Sequence, residues 1–260
     1  MNKTFRHISS AVLGIAVFLF WWLFYPYALS FQEQNQLFLF TWDYFSERIS
    51  LSGGLADYIA EFITQFSYIP YLGEALLAVV FVIFQKAIAL SIDRDEWYVL
   101  SFVAPVMMLV YMSDIYVMLS YLVALIAAVL LCALYRRHPG IIGAGIATVL
   151  GYWLIGPAIF VFTLFAVIRE RNCKSLILIA LSVIVVVASR LTYLQQYPWK
   201  TVIFGINYYR LPITVPAIQL IIAGVTALIP VFSDLLPKPR RILDISLGLL
   251  ILTGGIAGCW

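Results

Sequence analysis

The chain has 260 residues, of which 63% are hydrophobic and only 11% charged, with a formal net charge of +3. Soluble domains carry about 45–50% apolar and about 25% charged residues, so this composition excludes a water-soluble globule and makes the bilayer the solvent. A hydrocarbon core of about 30 Å takes roughly 20 residues per helical crossing, which leaves no room for a soluble catalytic domain, and so small a net charge does not indicate nucleic acid.

A lone backbone in hydrocarbon satisfies its N–H and C=O groups only within itself, so each apolar run is predicted to be a helix. The first, Ile8 to Leu29, follows Lys3, Arg6 and His7 and passes through Trp21, Trp22, Phe24, Tyr25 and Tyr27. That aromatic cluster suits a membrane interface, and no A-x-A cleavage pattern follows it, so the run reads as a retained anchor.

Residues 30–70 form the next segment, an acidic loop with Glu33, Asp43, Glu47, Asp57 and Glu61 and one base, Arg48. Phe38, Trp42, Phe45 and Ile49 recur at helical spacing, and Leu55, Tyr58, Ile59, Phe62, Ile63 and Phe66 do so again after Ser52-Gly53-Gly54. The pattern predicts two amphipathic helices lying flat on the outer membrane surface, apolar faces down. Asp43 and Glu47 would share one upper face, and Asp57 and Glu61 the other; these acids are either the solvated faces of the two helices, or one or more of them points into a cavity between loop and spans as a general base or a ligand for a divalent cation. Glu33, within Gln32-Glu33-Gln34-Asn35-Gln36, is placed to return over the bundle.

The later candidate spans are Tyr71 to Leu90, Trp97 to Met112, Ile115 to Tyr135, Ile141 to Ile155, Ala158 to Ile168, Ser175 to Ser189, Ile213 to Phe232 and Ile242 to Trp260. With the anchor they predict an all-α fold, a polytopic transmembrane helix bundle of about nine spans in a single domain of residues 1–260. The two short runs around Gly156-Pro157 can also form one kinked or re-entrant unit. Ser113-Asp114 interrupts an apolar stretch; a carboxylate there would be costly in lipid, so it marks a turn or faces protein. The outer loop 190–212 interleaves Arg190, Lys200 and Arg210 with Tyr193, Tyr197, Trp199, Tyr208 and Tyr209. Cations among aromatics at an interface either bind lipid phosphate or anchor the chain by snorkelling.

Charge placement sets an orientation. With a cytoplasmic N-terminus, twelve of the sixteen Lys and Arg residues fall on the inner side, as the positive-inside rule asks. The expectation is a bacterial inner-membrane protein with its C-terminus in the periplasm. Cys132, Cys173 and Cys259 are too scattered for a disulfide or metal framework, and His7 and His138 sit beside arginines at span ends. No metal site is expected, and the sequence identifies no cofactor.

Glu33-Gln34-Asn35-Gln36-Leu37-Phe38, Gly53-Gly54-Leu55, Gln65-Phe66, Pro70 and Gly73 resemble a family of bacterial multi-pass membrane proteins of unassigned function, over the whole chain. Members commonly continue into a soluble C-terminal part, so the resemblance implies that these residues are the membrane portion. A fainter likeness is to glycosyltransferases of the GT-C membrane fold, which use polyprenyl-phosphate sugars and carry essential acids in a first outer loop of membrane-parallel helices. It implies catalytic roles for Glu33 or Asp43 and for Asp114, with Arg210 or Lys200 at the substrate phosphate; Arg190 belongs to the same basic set. The adjacent acids usual in that fold are absent here. Besides an enzyme acting on such a lipid, the sequence is compatible with a non-catalytic membrane component that docks a protein partner through its acidic loop, and with a lipid or small-molecule permease. Membrane lipids are partners in every case.

Overall fold

A computed structural model describes residues 3–25, 27–170, 175–205 and 217–235. The chain forms helices α1 (Lys3–Phe24), α2 (Ala28–Gln34), α3 (Trp42–Ile49), α4 (Gly54–Thr64), α5 (Leu72–Ser91), α6 (Val103–Met112), α7 (Leu119–Arg137), α8 (Ile141–Ile155), α9 (Ile159–Glu170), α10 (Ser175–Thr192), α11 (Trp199–Phe204) and α12 (Ala217–Leu235). Short 3₁₀ turns occupy Gln65–Tyr68, Asp95–Phe102 and Gly156–Ala158. The chain is a membrane protein by this measure: among the described residues, seven helical stretches are long and apolar enough to cross a bilayer. The span expected at 242–260 lies outside the described residues.

The stretch 141–170 accounts for the rest of the difference from nine. It is a single apolar helical run by length, yet it folds back on itself. Gly156 sits at φ 66°, ψ −155°, a region essentially open only to glycine, and Pro157 follows. The Thr148 and Thr163 hydroxyls, fifteen residues apart, are consequently 3.1 Å from each other, so α8 and α9 form an antiparallel hairpin. Its arms of 15 and 12 residues are about 22 and 18 Å long, shorter than a bilayer core of about 30 Å.

α7 is the axis of the bundle: it packs on α5, α9 and α4, while α1 lies against α5 and α10 against both arms of the hairpin. Phe81, Phe84, Ile88, Met108, Leu122, Leu125, Phe162 and Phe165 are fully enclosed, with Ala124 and Ala128 of α7. Between helices in lipid there is no water to expel, so association rests on such close van der Waals packing and on interhelical polar contacts. One such contact set ties α1, α5 and the turn before α6: Ser10 Oγ donates to Gln85 Oε1 at 2.8 Å, and Gln85 Nε2 donates to Ser101 Oγ at 2.7 Å.

The bundle has two distinct ends. The loop end carries α2–α4, the 113–118 turn, the hairpin tip and α11. The arginine end carries Arg6, paired with Asp95 at 2.9 Å, and Arg136, paired with Asp234 at 2.9 Å.

Candidate functional site

At the loop end, the acidic segment is pinned in place by backbone chemistry. The Thr41 hydroxyl accepts from Tyr44 N at 3.3 Å and starts α3, as an N-cap should. α3 ends at Ile49, and Gly53, at φ 84°, turns the chain into α4. The linker between them is fastened to the hairpin tip three times: Ser52 Oγ donates to Tyr152 O at 2.6 Å, Gly53 N to Trp153 O at 2.8 Å, and Trp153 Nε1 to Ile49 O at 2.8 Å. Phe38 is buried against Tyr58 and Phe62, with ring centroids 4.9 and 5.5 Å away, and holds the strip 36–40 onto α4.

These ties lay α4 along α7 with the opposite face inward from the one its pattern suggests. Its buried residues are Gly54, Ala56, Asp57, Ala60, Glu61 and Thr64, whereas Ile59 and Phe62 are exposed. The expectation of apolar face down and carboxylates up is therefore corrected for α4. The small residues permit close approach to α7, and where the surroundings are lipid the apolar stripe can stay outside. α3 keeps Asp43 and Glu47 exposed.

The inward acids meet one cation. Arg48 forks onto Glu61, Nε to Oε2 and Nη2 to Oε1, both at 3.0 Å. The Tyr44 hydroxyl lies 2.6 Å from Glu61 Oε2, and Arg48 Nη2 donates to it at 2.8 Å. Burial first, and the Glu61 carboxylate second, push the Tyr44 phenol up to about 12. Asp57, one turn before Glu61, is 1% exposed and its Oδ1 has no hydrogen-bond partner. Ser120 Oγ of α7 is likewise buried and unpartnered; it lies beside Asp57 and favours the carboxylate form without completing a bond of good geometry. Burial raises the Asp57 carboxyl to about 7, Glu61 adds to the rise, and Ser120 and Arg48 oppose it.

Of the six residues singled out in the sequence, the five that are described sit on separate elements. Glu33 is half-buried on α2, Asp43 is exposed in the first turn of α3, and Asp114 is exposed, its Oδ1 accepting from Tyr116 N at 3.0 Å in a turn. α2 does reach that turn, through Gln32 Nε2, which donates to Ile115 O at 3.2 Å and Val117 O at 3.0 Å. Arg190 stacks over Trp199, Cζ 5.7 Å from the ring centroid, Lys200 is exposed on α11, and Arg210 lies outside the described residues. That some loop acid turns inward is one of the two readings the sequence allows; that the inward acids are Asp57 and Glu61, grouped with Tyr44 and Arg48, is not foreseen. The cluster's signal is present, since Asp57 and Glu61 fall four apart, but not the direction in which their face points. Among the described residues no three His, Cys, Asp or Glu side chains gather to hold a metal.

The hairpin tip also connects the acidic segment to the basic one, because the Tyr152 hydroxyl donates to Val202 O of α11 at 2.6 Å. Below it, α8 and α10 leave an apolar groove. One cavity of about 310 Å³ lies under the tip, lined by Tyr152, Trp153, Ala188, Ser189, Thr192 and Val149 among others. A second, of about 530 Å³, continues from Val149 toward the arginine end past Ile146, Gly145 and Ile142.

Comparison with known proteins adds one finding. A family model described as "Family of unknown function (DUF6057)" matches residues 2–251. No curated protein matches, and no solved structure does.

Proposed function

The chain belongs to DUF6057, a family of unknown function, and we propose that it binds a polyprenyl-phosphate-linked sugar by its lipid chain in the α8–α10 groove and transfers the sugar at the loop end. One observation carries this reading. The two cavities, about 310 and 530 Å³, share Val149 in their linings and follow one another along the seam between α8 and α10, both open to the side. The smaller cavity lies beneath the tip that joins the acid-bearing segment 30–70 to the cation-bearing segment 190–205. A chain-shaped lipid with a charged head group fits such a placement: the chain fills the seam between helices, and the phosphate rests among cations and aromatics at the interface.

In the proposed reaction the bond between the sugar and its phosphate oxygen breaks, and an acceptor hydroxyl forms a new bond to the sugar carbon. Its proton passes to a carboxylate while cations neutralise the leaving phosphate. Glu33, Asp43 and Asp114 are the candidate bases, and Arg190, Lys200 and Arg210 the candidate phosphate contacts. In this reading the loop end faces the periplasm of a bacterial inner membrane and the arginine end faces the cytoplasm, as the charge bias asks.

The test is mass spectrometry of lipids retained by the full chain in native nanodiscs, paired with a transfer assay. The wild type should retain a polyprenyl-phosphate lipid above its bulk abundance, and Ala188→Trp, which places a ring in the groove mouth at an exposed position, should lose it. Retained lipid identical to the bulk, unchanged by Ala188→Trp, contradicts the groove assignment. Glu33→Gln, Asp43→Asn and Asp114→Asn should include one variant without transfer; full transfer by all three contradicts the catalytic assignment.

A second reading, a non-catalytic component that docks an envelope-assembly partner, is favoured by the exposure of Leu37, Phe40 and Trp42 at 72, 79 and 76%. Docking would fail in Trp42→Ala and persist in the acid variants.

A further inference from the structure

α4 places two carboxylic acids, Asp57 and Glu61, against α7 under a single cation. Glu61 takes that cation, through both its oxygens, and the Tyr44 hydroxyl as well. Asp57 receives none of this: its Oδ1 is enclosed and unpartnered, and so is the facing Ser120 Oγ. The charged groups acting on Asp57 are Glu61 from its own helix and Arg48 from α3, while α7 presents only the Ser120 hydroxyl. An isolated carboxylate in such surroundings is far costlier than a neutral acid, and a neutral acid can itself donate a hydrogen bond.

We propose that Asp57 is a proton-binding site that latches α4 onto α7: with the proton bound the helix is seated, and with the proton lost the helix loosens and admits water to the Asp57–Ser120 contact. Asp57 would do so whatever occupies the α8–α10 groove. The direction of the pH response follows from linkage. The seated carboxyl is raised from 3.8 to about 7, while in the loosened state Asp57 meets water and returns toward its ordinary value. Seating is therefore strongest below the ordinary value, weakens as pH rises toward about 7, and changes no further above it.

Hydrogen–deuterium exchange of the α4 amides, on the full chain in nanodiscs and corrected for intrinsic exchange rates, tests this. Protection should fall by about tenfold per pH unit between about pH 4.5 and about pH 7, the slope for one linked proton, and stay level to about pH 8.5. Asp57→Asn should abolish the slope and keep α4 protected throughout. Ser120→Ala removes the polar group that faces Asp57 from α7, so it should keep the slope and move its upper break; this variant keeps the idea testable if Asp57→Asn does not fold. A flat wild-type profile overturns the proposal, as does a slope that survives in Asp57→Asn or a break that Ser120→Ala leaves in place.

Discussion

At the arginine end, Arg136 grips both oxygens of Asp234, at 2.9 and 3.1 Å, gives a further bond to Pro230 O at 3.1 Å, and is backed by Arg169 at 3.4 Å. At the loop end the guanidinium of Arg48 forks onto Glu61, and the second buried acid, Asp57, keeps an unpartnered oxygen. The first cluster sets two cations, Arg136 and Arg169, against two acids that reach solvent, Asp234, one-third exposed, and Asp93, 4.0 Å from Arg136; it staples α7, α9 and α12 together and has little left to respond with. The second is short of positive charge in an enclosed place. Stability alone would favour removing Asp57, so its presence there points to a role that needs a group able to change charge.

The contrast is open to experiment. The largest effect is expected from Arg48→Met, which leaves Glu61 enclosed beside Asp57 with no cation and should cost about 3–5 kcal/mol in equilibrium unfolding in mixed micelles. Arg136→Met, measured the same way, should cost only about 1–2 kcal/mol, because Asp234 keeps Arg169 and solvent. Equal losses would dissolve the distinction between the two ends.

Next in size is Asp57→Asn. Because the folded carboxyl is raised from 3.8 to about 7, the wild type loses stability as pH climbs through that window, and the amide variant does not. The variant should therefore be about 1–3 kcal/mol more stable than wild type at about pH 8, with no such advantage near pH 4. Gly53→Ala should cost about 1 kcal/mol, the price of φ 84° for a residue with a side chain, since a Cβ there meets nothing nearer than 3.7 Å. Trp42→Ala, at a position 76% exposed, should change stability by less than about 0.5 kcal/mol.

Much of this architecture was legible in the sequence. The apolar runs gave the crossing helices because bilayer thickness and backbone hydrogen bonding leave few options, and the spacing from Trp42 to Phe66 gave α3 and α4. Ser113-Asp114 reads as a turn and is one. Periodicity says which residues share a face, not which way that face points, and for α4 the answer depended on contacts a hundred residues away: Ser52 and Gly53 on the backbone of Tyr152 and Trp153. The same long-range ties hid the joining of the acidic and basic segments. Glu33, Asp43 and Asp114 are conspicuous because they stand in a turn or at a helix end, while Asp57 and Glu61 read most simply as a solvated stripe.

The latch requires that Asp57 hold a proton near neutrality inside the folded chain. Infrared difference spectroscopy on the full chain in nanodiscs, stepped from about pH 6 to about pH 8, measures that proton directly. A protonated-carboxyl band should disappear over this interval in the wild type and be missing from Asp57→Asn. A wild-type spectrum with no such band at about pH 6, or a band that Asp57→Asn retains, would contradict it.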